Sequence, residues 1–287
     1  MGSSALRVAA TGPSVLLQDL GRPGLAHLGV PRSGALDAPA AALARRLVGG
    51  AADDAVLEVL LGGLEVVLEA DPGSGAWVAV TGAPCSVAVD GRAAPHGRAV
   101  WVPAGSRLVL GRPASGLRSY LAVDGGLPVA EVLGSRSSDT LAGVGPAPVR
   151  AGDRLPVGVR RGEPGNAEVP PARATGPLRL HPGPRSAWCE DPLAALTSGA
   201  WTVGADSDRV GLRLHGDPLA RRRTEELPSE GMVLGAVQVP PDGQPVVFLA
   251  DHPPTGGYPV VAVVEEADLW RCAQLRPGER VRFTRAR

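Results

Sequence analysis

Lysine is absent from this chain: all 29 basic side chains among its 287 residues are arginine. A Walker-type phosphate loop, a Schiff base, a biotinylated lysine and a Ser-Ser-Lys amidase triad each need a lysine, so the chain contains none of them. The use of arginine in place of lysine fits a high-GC genome. The exclusion of these four lysine-dependent features holds whatever the cause of that preference. Because 29 acidic residues balance the arginines, net charge gives no indication of binding to nucleic acid or to a membrane surface.

Cysteine and long apolar runs are scarce as well. The three cysteines, Cys85, Cys189 and Cys272, lie far apart and form no Cys-x-x-Cys pair, which predicts reduced and mostly buried thiols. No apolar run reaches the length of a membrane span, about 20 residues. The first ten residues lack the basic start and apolar core of a signal peptide. We therefore expect a cytoplasmic protein without membrane contact.

Recognised catalytic signatures are also missing. The sequence has no His-Glu-x-x-His, no Gly-x-Ser-x-Gly, no dinucleotide Gly-x-Gly-x-x-Gly and no zinc-type spacing. Its five histidines are isolated from one another, which argues against a metal site built from histidine. No metal is expected.

Glycine and proline, in contrast, are abundant, with 39 and 29 residues. They are spread without a period, which predicts many tight turns between short strands and a mostly β fold. Few helices are expected: Ala38–Leu47 capped by Asp37, a short helix between Asp191 and Gly199, and Glu266–Leu275. Short strands are predicted at 15–17, 64–68, 77–81, 86–89, 99–102, 107–110, 119–123, 200–203, 210–214, 233–239, 246–250 and 281–283.

A polar segment rich in proline and glycine predicts an interdomain linker. The predicted domains are a β-rich half at 1–160, the linker at 161–176 and a second β-rich half at 177–287. The two halves share a Gly-Pro turn near their start, Gly12-Pro13 and Gly183-Pro184, and a closing turn of the form Gly-polar-Arg. That closing turn occurs at 152–154 and 278–280, with a further copy at 105–107, and its glycine predicts a positive φ before a strand.

The first candidate site lies in the segments QDLGRPG and PRSGALD. Arg22 or Arg32 can form a two-pronged contact with a carboxylate or phosphate, and Ser33 with backbone N–H groups can complete a site for an anion. The alternative needs no ligand: the same residues form a turn, and Asp37 is an N-cap. We favour the cap for Asp37 and leave both readings open for Arg22 and Ser33.

The second candidate site is the stretch from Ser229 to Tyr258, where apolar strands alternate with polar turns. Glu230 and Asp251 are candidates for the general acid and base, because burial would raise their pKa toward neutrality. A purely structural role for them and for Gln238 stays open. Side chains suited to hydrogen-bond an amide or carboxylate of a substrate are Gln238, Gln244 and Tyr258.

Other polar residues of this stretch have a structural explanation. Asp242-Gly243 is a strong hairpin-turn signal, and His252 beside two prolines favours a loop residue over a catalyst. Gly256-Gly257 permits close approach of the backbone.

Several long motifs give the chain a specific resemblance. QDLGRPG, PRSGALD, SYLAVDGG, SEGMVLGAVQVPPDGQP, LADHPPTGGYP and ADLWRCAQLRPGERVRF resemble the family called allophanate hydrolase subunit 2. The same family is also called biotin-dependent carboxyltransferase or the C subunit of 5-oxoprolinase. The resemblance runs from about residue 6 to 283. One position departs from it, since Pro254 stands where the family pattern has a threonine.

The resemblance implies that the chain folds into two cyclophilin-like β-barrel halves and that it functions as a subunit of a complex. It implies a B subunit and an A subunit as partners, which together with this chain cleave 5-oxo-L-proline to L-glutamate using ATP. Without a phosphate loop, the chain would contact ATP by another geometry or at a subunit interface.

Two other functions are found among the proteins that the chain resembles. One is carboxyl transfer from carboxybiotin to a small amide such as urea, which would need a biotin carrier in trans. The other is a regulatory, non-catalytic partner of a histidine-kinase inhibitor. Amidase-type hydrolysis of allophanate is excluded because the chain has no lysine.

Overall fold

The computed structural model describes residues 4–165 and 176–287. Residues 4–22, 33–139 and 143–165 form one compact unit, and residues 23–32, 140–142 and 176–287 form a second. Two short segments of the predicted first half therefore belong to the second unit. The predicted linker, 161–176, lies mostly outside the described residues, and the boundaries at 160 and 177 stay a prediction.

The first unit contains two antiparallel sheets. The strands of the six-stranded sheet, in spatial order, are β11 (Arg154–Pro156), β1 (Ala5–Thr11), β4 (Leu64–Glu69), β9 (Arg107–Leu110), β6 (Val87–Val89) and β7 (Arg92–Ala94). Those of the five-stranded sheet are β2 (Ser14–Gln18), β3 (Val56–Leu60), β10 (Arg118–Val123), β5 (Gly75–Gly82) and β8 (Ala99–Pro103). Alternation along β4 shows how they pack: its leucines and Val66 are buried in a core shared by both sheets, whereas Glu65 and Val67 are only half-buried.

Helix α1 (Ala38–Leu47) covers the outer face of the five-stranded sheet. Its alanines and leucines pack with Tyr120 and Ala122 of β10, so that β10 is buried on both faces. The helix begins as predicted, because the Asp37 side chain accepts a hydrogen bond from the N–H of Ala40 at 3.0 Å.

The second unit contains an eight-stranded sheet that nearly closes into a barrel. Its strands, in spatial order, are β20 (Arg280–Val281), β13 (Trp201–Val203), β14 (Gly211–His215), β17 (Val246–Phe248), β16 (Ala236–Gln238), β19 (Val260–Val264), β12 (Leu178–Pro182) and β21 (Phe283–Arg285). The two edge strands, β20 and β21, are separated in the chain by Arg282 alone. One continuous segment therefore supplies both edges of the sheet, which brings these edges close together.

A short two-stranded sheet lies beside it, formed by β15 (Glu230–Gly231) and β18 (Thr255–Gly256). The remaining helices are α2 (Pro192–Ser198), α3 (Leu269–Cys272) and the single-turn 3-10 helices Ala26–Leu28, Ser186–Trp188 and Glu266–Asp268. Among the described residues, no helix has the length and apolar character needed to cross a bilayer.

The predicted mostly β fold with few helices is confirmed. The closing turns are confirmed as well, since Gly105, Gly152 and Gly278 have φ of 83°, 96° and 83°. Two predictions are wrong in detail. The helix predicted over Glu266–Leu275 is a 3-10 turn followed by the four residues of α3, and the strand predicted at 281–283 is split between β20 and β21.

Candidate functional site

Arg22 is buried inside the first unit and has only 2% of its surface exposed. Its guanidinium donates hydrogen bonds to the Ser33 hydroxyl at 2.9 Å, to the carbonyl of Ser137 and to the carbonyl of Val132. Ser33, at a positive φ of 56°, donates in turn to the Asp139 carboxylate at 2.8 Å. These contacts hold loops of the first unit together, and the substrate-binding role of Arg22 and Ser33 stays a prediction.

A buried carboxylate that was not among the predicted site residues, Asp19, lies beside this cluster. Asp19 accepts hydrogen bonds from the hydroxyls of Ser135 and Ser137 at 2.6 Å and from the N–H groups of Arg136 and Gly21. Burial acts to raise the pKa of Asp19, but these four hydrogen bonds together lower it below its ordinary value. No local pattern signals the contact, because the two serines lie 116 and 118 residues away in the chain.

Asp251, the first of the two predicted acid/base carboxylates, is completely buried in the second unit. Arg209 donates to both of its oxygens at 2.9 Å, and the N–H and hydroxyl of Thr140 donate to its Oδ2 at 2.9 and 2.7 Å. This arrangement fixes the carboxylate between two segments of the unit and keeps it from solvent. Its catalytic role stays a prediction.

Glu230, the second of the two predicted acid/base carboxylates, lies on β15 and forms an ion pair with Arg185. The Arg185 Nε donates to one carboxylate oxygen at 3.1 Å and its terminal nitrogen contacts the other. The Arg185 guanidinium holds the pKa of Glu230 below its ordinary value. The expectation that burial raises this pKa is therefore wrong, and Glu230 is an anion at neutral pH.

Gln238 is a buried amide on an otherwise apolar face of the large sheet. Met232, Ala236, Val246, Phe248 and Val260 form the apolar cluster there, and Gln238 is paired in register with the two valines. A β-bulge interrupts the pairing of β16 with β19 between Val237 and Gln238. Such bulges re-aim side chains and are enriched next to active sites.

The two ends of the Gln238 amide have different environments. Its Nε2 donates to the Tyr258 carbonyl at 3.0 Å and contacts the Met232 sulfur at 3.8 Å. Its Oε1 accepts no hydrogen bond from the part of the chain that the structure describes. The amide is thus oriented by Tyr258 and retains one acceptor.

Gly256 packs directly on this amide. A Cβ at position 256 would lie 2.8 Å from the Gln238 Nε2 and 3.3 Å from the Met232 side chain. The same glycine pairs with Glu230 across the two-stranded sheet. The structure therefore brings Glu230, Gln238 and the backbone of Tyr258 around one glycine, while 44% of the surface of Tyr258 is exposed.

The other candidates of this stretch have structural partners. Gln244 binds the backbone of Gly216 through both amide atoms, at 3.0 and 3.1 Å. Asp242 accepts from the Gln244 N–H, and Gly243 has a φ of 76°, so the predicted hairpin turn between β16 and β17 is confirmed. The substrate-binding role of Gln244 stays a prediction.

His252 follows Asp251 in the same loop. Its ring stacks on Phe248, with centroids 5.7 Å apart, and its Nδ1 lies 2.8 Å from the Pro253 carbonyl. Burial lowers the pKa of His252 below its ordinary value, so the ring is neutral at neutral pH. Among the described residues, no group of three or more His, Cys, Asp or Glu side chains is arranged to hold a metal ion.

Curated relatives of the chain carry two kinds of name. The chain is 39% identical over 283 residues to the C subunit of 5-oxoprolinase from Escherichia coli, covering 97% of this chain and 90% of that protein. The corresponding protein of Haemophilus influenzae is 34% identical over 93% of this chain and 86% of its own length. Urea amidolyase of Saccharomyces cerevisiae is 31% identical over 98% of this chain, which is 16% of the yeast protein.

Solved structures have the same fold. TTHA0988 has a TM-score of 0.88 and 39% identity over 98% of this chain, which spans 56% of that chain. Urea carboxylase of Kluyveromyces lactis has a TM-score of 0.90 and 27% identity over 100% of this chain, which spans 28% of that chain. The family model for the carboxyltransferase domain, subdomains A and B, matches residues 28–285. The chain belongs to this carboxyltransferase domain family.

Proposed function

We propose that this chain is the C subunit of a cytoplasmic, ATP-dependent 5-oxoprolinase, which converts 5-oxo-L-proline to L-glutamate together with an A and a B subunit. The observation that carries the proposal is that the chain aligns over nearly the full length of a relative named as the C subunit of 5-oxoprolinase. The alignment covers 97% of this chain and 90% of the Escherichia coli protein, whereas it covers only 16% of the yeast urea amidolyase.

The reaction needs activation and precise placement of the lactam. An unstrained lactam resists hydrolysis because of its amide resonance, and phosphorylation of the amide oxygen by ATP would remove that resonance. Gln238 supports placement, because its free Oε1 can accept the lactam N–H and its orientation is set by Tyr258. Contacts to the ATP phosphates would have to come from arginine, backbone N–H groups or a partner protein, since the chain has no lysine.

Reconstitution tests the proposal. The chain is combined with its A and B subunits, and ATP-dependent formation of glutamate from 5-oxo-L-proline is measured. Omission of each subunit in turn, and of ATP, provides the controls. A complex of all three subunits that assembles and forms no glutamate would contradict the proposal.

Carboxyl transfer to a small amide such as urea is the second candidate. It is favoured by the TM-score of 0.90 to the Kluyveromyces lactis urea carboxylase over the whole of this chain. In this function the chain would accept a carboxyl group from biotin carried on another chain. Carboxylation of urea that depends on both this chain and a carboxylated biotin carrier would support it over the lactam reaction.

A further inference from the structure

We infer that Arg185 binds the carboxylate of the substrate and that Glu230 occupies its place until the substrate arrives. The inference rests on the proposed function for the identity of that substrate, 5-oxo-L-proline. Binding of a carboxylate by Arg185 is a property of this chain alone and is testable without turnover.

The contact between the two side chains has the geometry that arginine uses for carboxylate ligands. Nε and a terminal nitrogen of Arg185 face the two oxygens of Glu230, which is a two-pronged arrangement available to any carboxylate. Both side chains reach solvent, with 38% of Arg185 and 29% of Glu230 exposed. A ligand can therefore approach the guanidinium.

Two other arginine–carboxylate pairs of the second unit, Arg209–Asp251 and Arg179–Asp268, have carboxylates that are fixed by further contacts. Asp251 is buried and also accepts from the backbone and hydroxyl of Thr140. Asp268 is nearly buried and also accepts from the backbone N–H of Arg179. Glu230 has no such anchor: among the described residues, Arg185 is the only hydrogen-bond partner of its carboxylate. In contrast to those two pairs, the anion of Arg185 can therefore be exchanged.

The strand that carries Glu230 lies beside the residue that packs on the acceptor suited to a lactam N–H. Glu230 pairs across the small sheet with Gly256, and Gly256 packs on the Gln238 amide. In 5-oxo-L-proline a single carbon joins the ring N–H to the carboxylate. Gln238 Oε1 and Arg185 would bind these two groups together. Urea and 2-pyrrolidinone have an N–H but no carboxylate, so Arg185 would distinguish 5-oxo-L-proline from both.

Replacement of Glu230 by the substrate carboxylate at Arg185 requires little free energy. A partly exposed carboxylate that leaves its arginine is solvated again by water, and exposed ion pairs are weak. While Glu230 is bound, it competes with the substrate and lowers the apparent affinity. Removal of its charge should therefore tighten binding, the opposite of what loss of a catalytic acid or binding residue would do.

The test uses the full-length chain and a ligand pair that differs only in the carboxylate. Binding of 5-oxo-L-proline and 2-pyrrolidinone is followed by NMR titration, with the side-chain Nε–H resonance of Arg185 as the reporter. In the wild type we expect this resonance to shift with 5-oxo-L-proline alone. Glu230→Gln should tighten 5-oxo-L-proline binding about 2- to 5-fold, the range expected for loss of an exposed ion pair.

Arg185→Gln should weaken 5-oxo-L-proline binding about tenfold or more, as for a lost hydrogen bond to a charged group, and leave 2-pyrrolidinone binding unchanged. Arg213→Gln is the matched control, because Arg213 forms an exposed pair with Asp206 in the same unit. This variant should bind 5-oxo-L-proline and 2-pyrrolidinone as the wild type does. No shift of the Arg185 resonance at high 5-oxo-L-proline, or weaker binding by Glu230→Gln, would overturn the inference.

The same variants separate this inference from the proposed function. If the reconstituted complex forms glutamate and Arg185→Gln leaves KM for 5-oxo-L-proline unchanged, the inference fails and the function stands. If the Arg185 resonance responds to carboxylates and the complex forms no glutamate, the carboxylate site stands and the function fails.

Discussion

At the scale of single residues, the missing lysine leaves every cationic contact to arginine, and the partners of each arginine decide its use. Arg209 is closed against Asp251 in the interior, whereas Arg185 meets Glu230 at the surface. The guanidinium groups are chemically identical. Burial and the number of additional anchors on the carboxylate distinguish a structural pair from an exchangeable one.

Neutralising Asp251 should destabilise the protein strongly. Asp251→Asn removes the charge that compensates the buried Arg209 guanidinium, and breaking a buried pair from one side costs about 3–5 kcal/mol. The free energy of unfolding is measured by urea denaturation. Asp206→Asn, in the exposed pair with Arg213, is the control and should change it little. Equal effects of both variants would show that Asp251 has no structural role of this kind.

His252 should make the free energy of unfolding decrease as the pH becomes acidic. Burial lowers its pKa in the folded state, so the unfolded chain takes up a proton first as the pH falls below about 6.5. The contribution of the neutral His252 ring to the free energy of unfolding is therefore fully present above that pH. It is lost as the pH falls toward the pKa of the folded state. His252→Gln should flatten this part of the curve of unfolding free energy against pH. An unchanged slope between about pH 6.5 and 5 would contradict the assignment.

The sequence identified several residues of the site but not their partners. Glu230, Gln238 and Asp251 stand out as polar residues in turns beside apolar strands. Arg185, Arg209 and Thr140 lie 45, 42 and 111 residues from the carboxylates they bind, and no local pattern links them. The turn Gly183-Pro184 immediately before Arg185 was the one available signal.

At the scale of elements, some strands could be predicted with bounds at or close to those observed, whereas two strands that are buried on both faces were missed. Arg107–Leu110 was predicted with its observed bounds. β3 and β19, which read VLEVL and VVAVV, were missed. Both are buried on both faces, so they show no alternation, and periodicity alone does not identify such runs.

The two-stranded sheet should be sensitive to one methyl group. In Gly256→Ala the new Cβ would lie 2.8 Å from the Gln238 Nε2. Gln238 is buried and its Nε2 is held by the Tyr258 carbonyl, so the amide moves only with loss of that hydrogen bond, and overpacking of this kind typically costs about 1–3 kcal/mol. Gly231→Ala on the partner strand is the control, since its Cβ would have no neighbour within 4 Å. Urea denaturation of both variants is the measurement, and equal stability would contradict the packing argument.

At the scale of the whole molecule, fold and family could be predicted from motif order and turn chemistry, because these are properties of contiguous sequence. The assembly of the site depends on pairing in the folded chain, which the sequence does not display. The clearest case is the two glutamines of one motif: both were predicted to bind substrate, and the structure gives them different environments. Gln238 retains an acceptor, while Gln244 is bound at both amide atoms to Gly216.

Substitution of each glutamine by leucine should therefore separate function from folding. Gln238→Leu enters an apolar cluster and gives up one hydrogen bond, to the carbonyl of the exposed Tyr258, so stability should change less than in Gln244→Leu. In the reconstituted complex, kcat/KM for 5-oxo-L-proline should fall about 2- to 10-fold, the usual value of one hydrogen bond. Gln244→Leu leaves the Gly216 N–H and carbonyl without their partner, so the free energy of unfolding should fall while kcat/KM of the folded enzyme is retained. The opposite pattern would place the substrate contact at Gln244 and would remove Gln238 from the site.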